Sequence, residues 1–242
     1  MDLIDLDDAQ NTKFNREIHT PEDLKKKLVY LNLSLGRREA RVLDLGGGNG
    51  TFLDAVLDNF PRSKGTLLDI SPSLIAANKD RPDKTVVIGS VAEMQRLLPH
   101  AAYNVITVNW LLHHLVGSHY AACGDNCVAV LEKCKTALLP DGMIVVAEVD
   151  YQGAFDGWLA SRLIYAITSL RVAGIERLLK PLANTVGSGV CFRSQGGWEA
   201  IFARAGLKVV KQHGGPPWRY RWWWRLLGIS RLSHRHFYLQ PA

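Results

Sequence analysis

Apolar and polar positions along the chain switch between two periods. Short, nearly continuous apolar runs fall at 40–45 (ARVLDL), 65–70 (GTLLDI), 85–89 (TVVIG), 103–110 (YNVITVNW) and 143–149 (MIVVAEV). Runs of this kind are expected of strands covered on both faces of a sheet. Between them the apolar residues recur at helical spacing. From Thr51 to Phe60, Leu53, Val56, Leu57 and Phe60 share one face. Ser71-Pro72 opens a second helix with proline in its first turn. A third helix is predicted around 91–98 and a fourth over 118–138, and Pro140-Asp141-Gly142 predicts the turn into the fifth strand. Five such repeats predict a parallel sheet with helices on both faces and right-handed crossovers.

Past residue 150 the rhythm breaks. A helix is predicted over 155–174, carrying Phe155, Trp158, Leu159, Leu163, Tyr165, Ile167 and Leu170. That is too many large apolar groups for one solvent-facing stripe, so this helix is expected to roof a pocket or to make a homodimer contact, with core packing as the plainer reading. A glycine-rich loop spans 184–197. Trp198, Ile201, Phe202 and Ala205 then mark a short helix stopped by Gly206, before strands at 207–212 and 234–240. Thr20-Pro21-Glu22-Asp23 is a helix start with Leu24, Leu28 and Leu31 behind it. The resulting plan is a helical cap at 1–39, a core at 40–150, a lid or substrate insertion at 151–197, and a C-terminal part at 198–242 that completes the sheet. An Arg/Trp-rich insertion at 213–233 interrupts that last part.

The stretch VLDLGGGNGTFLDA (42–55) places its glycines where the first strand ends and the first helix begins. In a doubly wound sheet the first such turn meets the ligand. Gly46, Gly48 and Gly50 let the backbone turn sharply and approach closely, and helix N-terminal amides follow. Asp44 projects from the strand end into the same place. Asp69 ends the second strand, where one carboxylate can accept a hydrogen bond from each of two ribose hydroxyls. Nicotinamide dinucleotides and S-adenosylmethionine both suit an acid there. A dinucleotide fingerprint G-x-G-x-x-G would need glycine at Thr51 or Leu53, and neither is one. The pattern present is D-x-G-x-G-x-G, in which Asp44 would repel a pyrophosphate and help to orient an ammonium-bearing methionine moiety.

On these segments the chain resembles the class I S-adenosylmethionine-dependent methyltransferases of small-molecule type. VLDLGGGNG is similar to their first motif and LLDISPSLIAANK to their second; YNVITVNWLLHHLV, LLPDGMIVVAEVD and SQGGWEAIFARAGLKVV follow in the family's order. The resemblance covers 40–150 and 194–212. It implies an α/β, doubly wound, Rossmann-like fold with a seven-stranded, mostly parallel sheet, an antiparallel final strand and helical lid insertions. It also implies S-adenosyl-L-methionine as cofactor. Asp44, Gly46, Gly48 and Gly50 would line the methionine part and Asp69 would hold the ribose. Ile70 would pack on adenine, Ser90 and Val91 would meet its edge, and Asn109 and Trp110 would flank the methionine near the sulfonium. Family members often carry an acid where this chain has Ser90, whose hydroxyl can still bond the adenine amino group.

His113 and His114 follow the fourth strand. One reading makes one of them the general base for a hydroxyl or an acidic carbon, with His114 placed ahead of His113; the other makes them hydrogen-bonded structural residues. Glu148 and Asp150 end the fifth strand, where substrate binding competes with surface or capping roles. Trp158 and Tyr165, with Glu148, are the substrate-side candidates. Cys123, Cys127 and Cys134 share a helical stripe with Leu131 and Leu138, Cys191 stands apart, and no spacing suits a metal. Buried apolar cysteines are the expectation.

Composition adds one asymmetry. The net charge is +6, yet residues 200–242 carry eight Lys and Arg and no Asp or Glu, leaving 21 basic against 23 acidic residues elsewhere. Four of the seven tryptophans, Trp218, Trp222, Trp223 and Trp224, lie in this basic segment. It suits an aromatic-walled acceptor pocket, a peripheral membrane contact or, less well, single-stranded nucleic acid, since strand four ends in NWLL rather than Asn-Pro-Pro-aromatic. No apolar run reaches the ~18 residues of a membrane span, and the acidic start MDLIDLDDAQ is unlike a signal peptide, so a cytoplasmic protein is expected. The function expected is methyl transfer to a small, hydrophobic or aromatic acceptor, O- ahead of C- or N-methylation. The alternatives are a nucleic-acid methyltransferase and a non-catalytic binding protein of the same fold.

Overall fold

The structure is a computed structural model and describes residues 28, 39–170, 187, 189–218 and 222–242. Its strands are β1 (Arg41–Leu45), β2 (Lys64–Asp69), β3 (Lys84–Ile88), β4 (Tyr103–Asn109), β5 (Leu138–Gly153), β6 (Leu207–Gly214) and β7 (Ile229–Pro241). Its helices are α1 (Thr51–Asn59), α2 (Pro72–Ala76), α3 (Met94–Leu97), α4 (Tyr120–Ala137), α5 (Trp158–Thr168) and α6 (Gln195–Arg204), with 3-10 turns at Val91–Glu93, Leu112–His114, Ala154–Gly157 and Trp222–Leu227. The seven strands form one sheet in the order β3-β2-β1-β4-β5-β7-β6. β1 pairs parallel with β2 and β4, and β2 parallel with β3, whereas β6 and β7 run antiparallel. This is the doubly wound sheet expected, reversed at its far edge. The strand order turns back between β1 and β4, which is where such sheets bind ligands.

The chain divides into two compact units, one holding residues 39–109 with 133–144 and the other 110–132 with 145–242. In the first, the apolar runs do what their composition requires. Val42, Leu43, Leu45, Leu67, Leu68, Val105, Ile106 and Val108 are fully buried, and α1 adds Phe52, Leu53, Val56 and Leu57. Strand β3 lies at the sheet edge and leaves Ile88 exposed. Lys84, its first residue, reaches back to Asp54 of α1 at 2.7 Å, and both side chains are almost wholly buried. The same ammonium lies 3.2 Å from Asn78 Oδ1, and the Asn78 amide donates to the Gly48 carbonyl at 2.9 Å. A buried ion pair thereby braces the glycine turn from behind.

In the second unit Trp198 of α6 is fully buried and its indole N–H donates to the Val149 carbonyl at 2.8 Å. Phe202 meets Phe237 of β7 edge-on. Val149, Tyr151, Ala160, Ile164, Val190, Ile229 and Leu232 form one apolar cluster against which Trp110, Phe192 and Trp224 pack.

Several boundaries differ from those predicted. Pro140-Asp141-Gly142 lies within β5 rather than before it. The helix expected at 155–174 is a 3-10 turn followed by α5; residues 171–186 are outside the described set, as is the cap at 1–39 apart from Leu28 and Glu39. The insertion predicted at 213–233 is narrower, because β6 extends to Gly214 and β7 starts at Ile229. Asp150 is no surface residue: it is fully buried, and its Oδ2 accepts from Arg235 Nε and Nη2 at 3.0 and 2.9 Å.

Removing one member of a buried pair leaves the other charge uncompensated. Lys84→Ala should therefore lower the stability of the chain by about 3 kcal/mol, read from urea unfolding. A loss below about 1 kcal/mol, as for an exposed pair, would contradict this account of the Lys84–Asp54 bridge.

Candidate active site

The turn after β1 has the geometry that its glycines suggest. Gly46, Gly48 and Gly50 have φ of 71°, 55° and 76°, all in the left-handed region that glycine enters without a Cβ penalty. A side chain at Gly50 would also strike Asn78 Oδ1. Gly47, which the sequence pattern did not single out, is needed for a different reason: a Cβ there would sit 2.7 Å from Asp44 Oδ2 and 2.8 Å from Leu67.

Two carboxylates frame this turn. Asp69, at the end of β2, accepts from the Gly48 amide at 2.8 Å through Oδ2 and from the Ser71 amide at 2.8 Å through Oδ1. The two oxygens together offer about four lone-pair positions, more than the backbone amides occupy. Burial raises the Asp69 pKa above the usual carboxylate value, while the amides of Ser71, Gly48 and Ile70 pull the other way. Asp44, buried at the end of β1, lies in register with Thr107 of β4. Its Oδ1 accepts from the Thr107 hydroxyl at 2.8 Å and from the Asn109 side-chain Nδ2 at 3.3 Å. Ile70 is exposed and Val91 is buried. Ser90 caps the following 3-10 turn, its hydroxyl accepting from the Ala92 amide at 3.2 Å. In this first unit Asp44, Asp69 and Asn109 lie at the C-terminal ends of β1, β2 and β4, and Gly46, Gly48, Gly50, Ile70, Ser90 and Val91 lie in the segments that follow β1, β2 and β3.

The remaining candidates belong to the second unit, which begins at Trp110, the next residue in the chain. Trp110 has φ 57°, a strained value for a non-glycine residue. It stacks on Trp218 at 5.6 Å between ring centroids. Three residues on, His113 is buried and its Nδ1 lies 2.7 Å from Glu148 Oε2. The His113 amide donates to Glu148 Oε1 at 3.3 Å. Glu148 is fully buried in the apolar run of β5, so it is neither a surface nor a capping residue, and its carboxylate is engaged by the histidine rather than offered to a substrate. Phe192 packs on the His113 ring at 4.7 Å, and Tyr151 meets Phe192 edge-on at 5.2 Å. His114 packs against His113, and burial, with that neighbour's help, holds its pKa well below the ordinary histidine value.

Of the substrate-side candidates, Trp158 is exposed beneath the Arg162 guanidinium, 4.4 Å from its ring. The buried face of α5 is built instead from the smaller Ala160, Ser161, Ile164 and Thr168. Tyr165 donates its hydroxyl to the Gly117 carbonyl at 2.9 Å. All four cysteines are buried, as expected. Cys191 does not stand apart: it packs with Val116 and Cys123. A hydrogen bond from Cys191 is the main cause that lowers the Cys123 thiol to about 7. Burial pushes Cys127 and Cys134 up to about 12. Among the described residues no group of His, Cys, Asp or Glu is arranged to hold a metal ion.

A doubly wound sheet with a reversed last pair of strands, a left-handed glycine turn and an acid ending β2 define a nucleoside-binding protein of the α/β methyltransferase class. Comparison with known proteins agrees. A family model described as a methyltransferase domain matches residues 16–212, and the chain belongs to that family. It is 30% identical over 218 residues to myricetin 7/4'-O-methyltransferase 2 of Solanum habrochaites, covering 87% of this chain and 53% of that protein. It is 30% identical over 171 residues to 3'-hydroxy-N-methyl-(S)-coclaurine 4'-O-methyltransferase 1 of Papaver somniferum, covering 70% and 41%. The chain thus spans about half the length of these curated relatives. Among solved structures, CalO1, a methyltransferase in calicheamicin biosynthesis in its SAH-bound form, superposes with a TM-score of 0.53 at 22% identity, over 91% of this chain and 56% of that one. At that identity the likeness speaks for the fold.

S-adenosylmethionine is the cofactor of this family, and the residues of the first unit suit it. The left-handed turn leaves the backbone beside Asp44 bare, and Asp69 retains acceptor positions for vicinal hydroxyls. Asp69→Ala should weaken binding of S-adenosylhomocysteine by about 2 kcal/mol, near thirtyfold, in calorimetry; unchanged affinity would remove the ribose assignment. The ionised form accepts the hydrogen bonds, so affinity should fall as pH drops through the raised Asp69 pKa. That fall should begin at a higher pH than an ordinary aspartate would give, and Asp69→Asn should abolish it.

Proposed function

We propose that this protein transfers a methyl group from S-adenosylmethionine to a hydroxyl of a small aromatic acceptor, with His113 as the general base. The observation that carries this reading is the 2.7 Å contact between His113 Nδ1 and Glu148 Oε2, in which both side chains are buried. With Nδ1–H donated to the carboxylate, the lone pair of the imidazole resides on Nε2. A nitrogen so prepared takes the proton of an acceptor hydroxyl, and Glu148 stabilises the imidazolium that results. A base of this kind serves an acceptor that enters protonated.

His114 is the weaker candidate, although the sequence reading placed it first. Its pKa is held far down, so it stays neutral and accepts a proton poorly, and the partner carboxylate belongs to its neighbour. The aromatic ring of Phe192 packed on His113 suits a flat acceptor. The relatives named above are O-methyltransferases of small molecules, which supports the same class. When bound, S-adenosylmethionine supplies an electrophilic methyl on a sulfonium. The roles of the first unit are to hold it by Asp69 and Asp44 and, through the glycine turn, to let the backbone approach. Alignment contributes much of the acceleration in a displacement of this kind.

Incubation with isotopically labelled donor and a panel of flavonoid and phenolic alkaloid acceptors should yield labelled methyl ethers. Methylation at nitrogen or carbon alone would contradict the reading. His113→Ala should lower kcat by at least about a hundredfold, with S-adenosylhomocysteine affinity nearly unchanged. Glu148→Gln should lower kcat in the same sense, and His114→Ala much less. A full rate in His113→Ala, or a larger loss in His114→Ala, would return His113 to a structural role.

A further inference from the structure

Five of the ten large apolar side chains exposed among the described residues lie on two adjoining segments. Phe155, Trp158 and Leu159 stand at the start of α5 and in the 3-10 turn before it, and Trp222 and Leu226 on the turn before β7. Their exposure runs from 37% at Leu159 to 78% at Phe155. Both segments belong to the second unit and are locked together. The Ala154 amide donates to the Gly228 carbonyl at 3.0 Å, and a Cβ on Gly153 would overlap that carbonyl oxygen. Trp224 turns inward onto Tyr151 and the cluster of Ala160 and Ile164, which anchors the turn and leaves its outer face to Trp222 and Leu226. An exposed apolar face of this kind marks an interaction surface.

The backbone pays attention to the same face. Phe155 has φ 54°, a conformation that a bulky residue adopts only under constraint from its surroundings. The phenyl ring of the same residue stands exposed.

Charge identifies the occupant. Arg162 lies over Trp158, and Arg225 is exposed between Trp222 and Leu226. No acid occurs from residue 200 to the end, and Asp156 is the only one between 151 and 170. Two copies joined through this face would bring four arginines into one interface, with Asp156 of each copy the only acid that 151–170 or 200–242 supplies to balance them. An anionic bilayer instead offers phosphate to the arginines and an interfacial layer in which tryptophan is at home. We infer that Phe155, Trp158, Leu159, Trp222 and Leu226, with Arg162 and Arg225, form a docking face for anionic phospholipid membranes. No helix among the described residues is long and apolar enough to cross a membrane, so the contact is peripheral, with side chains entering the interface.

The test is co-sedimentation of the full chain with vesicles of phosphatidylcholine alone and of equimolar phosphatidylcholine and phosphatidylserine. The protein should pellet with the mixed vesicles, release as salt is raised, and stay in solution with phosphatidylcholine alone. Arg162→Gln with Arg225→Gln should weaken partitioning by on the order of tenfold or more. Trp222→Ser with Leu226→Ser should abolish it. All four residues are exposed, and unchanged circular dichroism and thermal midpoint will show that the variants fold. No pelleting with either vesicle, or equal pelleting of wild type and variants, overturns the inference. So does a shift in the molecular mass of the protein alone on introducing these substitutions, which would make the face a contact between copies. Retention of a single-stranded oligonucleotide without vesicle binding also overturns it.

Discussion

One carboxylate holds the front of the first unit together. Asp69 accepts the Gly48 amide with one oxygen and the Ser71 amide with the other, so a single side chain ties the turn after β1 to the loop after β2. On the same side the Gly46 amide donates to the Leu68 carbonyl of β2 at 2.8 Å, so side chain and backbone hold the turn together. From the other side Asn78 donates to the Gly48 carbonyl and is itself bonded to Lys84, whose charge is balanced by Asp54. A turn made from the least restrained residues therefore stands between two polar braces. The entropic cost of ordering glycine is met by hydrogen bonds that water reaches poorly.

The second unit solves a similar problem with different means. Burying Glu148 in the middle of β5 would be prohibitive for an unpaired carboxylate. It receives the His113 ring, the His113 amide and the Val149 amide. Asp150, two residues on, receives Arg235. Consecutive inward-facing acids on one strand are thus each given a cation or a cation-forming partner. The Glu148 pair is the one that touches a proton-accepting group, which is why it carries the proposed chemistry, whereas Asp150 fastens β5 to β7.

The course of the sheet was legible because apolar runs and glycine turns are local signals. Residues 41–45, 64–69, 84–88 and 103–109 became strands within a residue or two of expectation, since each carries a short apolar run, buried in β1, β2 and β4 and half-exposed in the edge strand β3. The glycines of the first turn were legible for the same reason. What escaped was partnership between residues far apart in the chain. Glu148 and His113 are 35 positions apart, and an acid inside VVAEV carries no sign of whether it is buried. Cys191 looked isolated because its neighbour Cys123 is distant in sequence. Gly47 was passed over since its role is set by the Asp44 and Leu67 side chains beside it rather than by its own φ. On α5 the count of large apolar residues misled: the cluster under the helix admits Ala160 and Ile164, and leaves Trp158 outside.

The central claim is that the paired acids and glycine turn of the first unit receive a sulfonium nucleoside. Isothermal titration of the purified protein with S-adenosylhomocysteine, set beside a titration with NADH, tests it most directly. Saturable, stoichiometric heat with the first and none with the second is the expected outcome. Heat with NADH and none with S-adenosylhomocysteine would contradict the account.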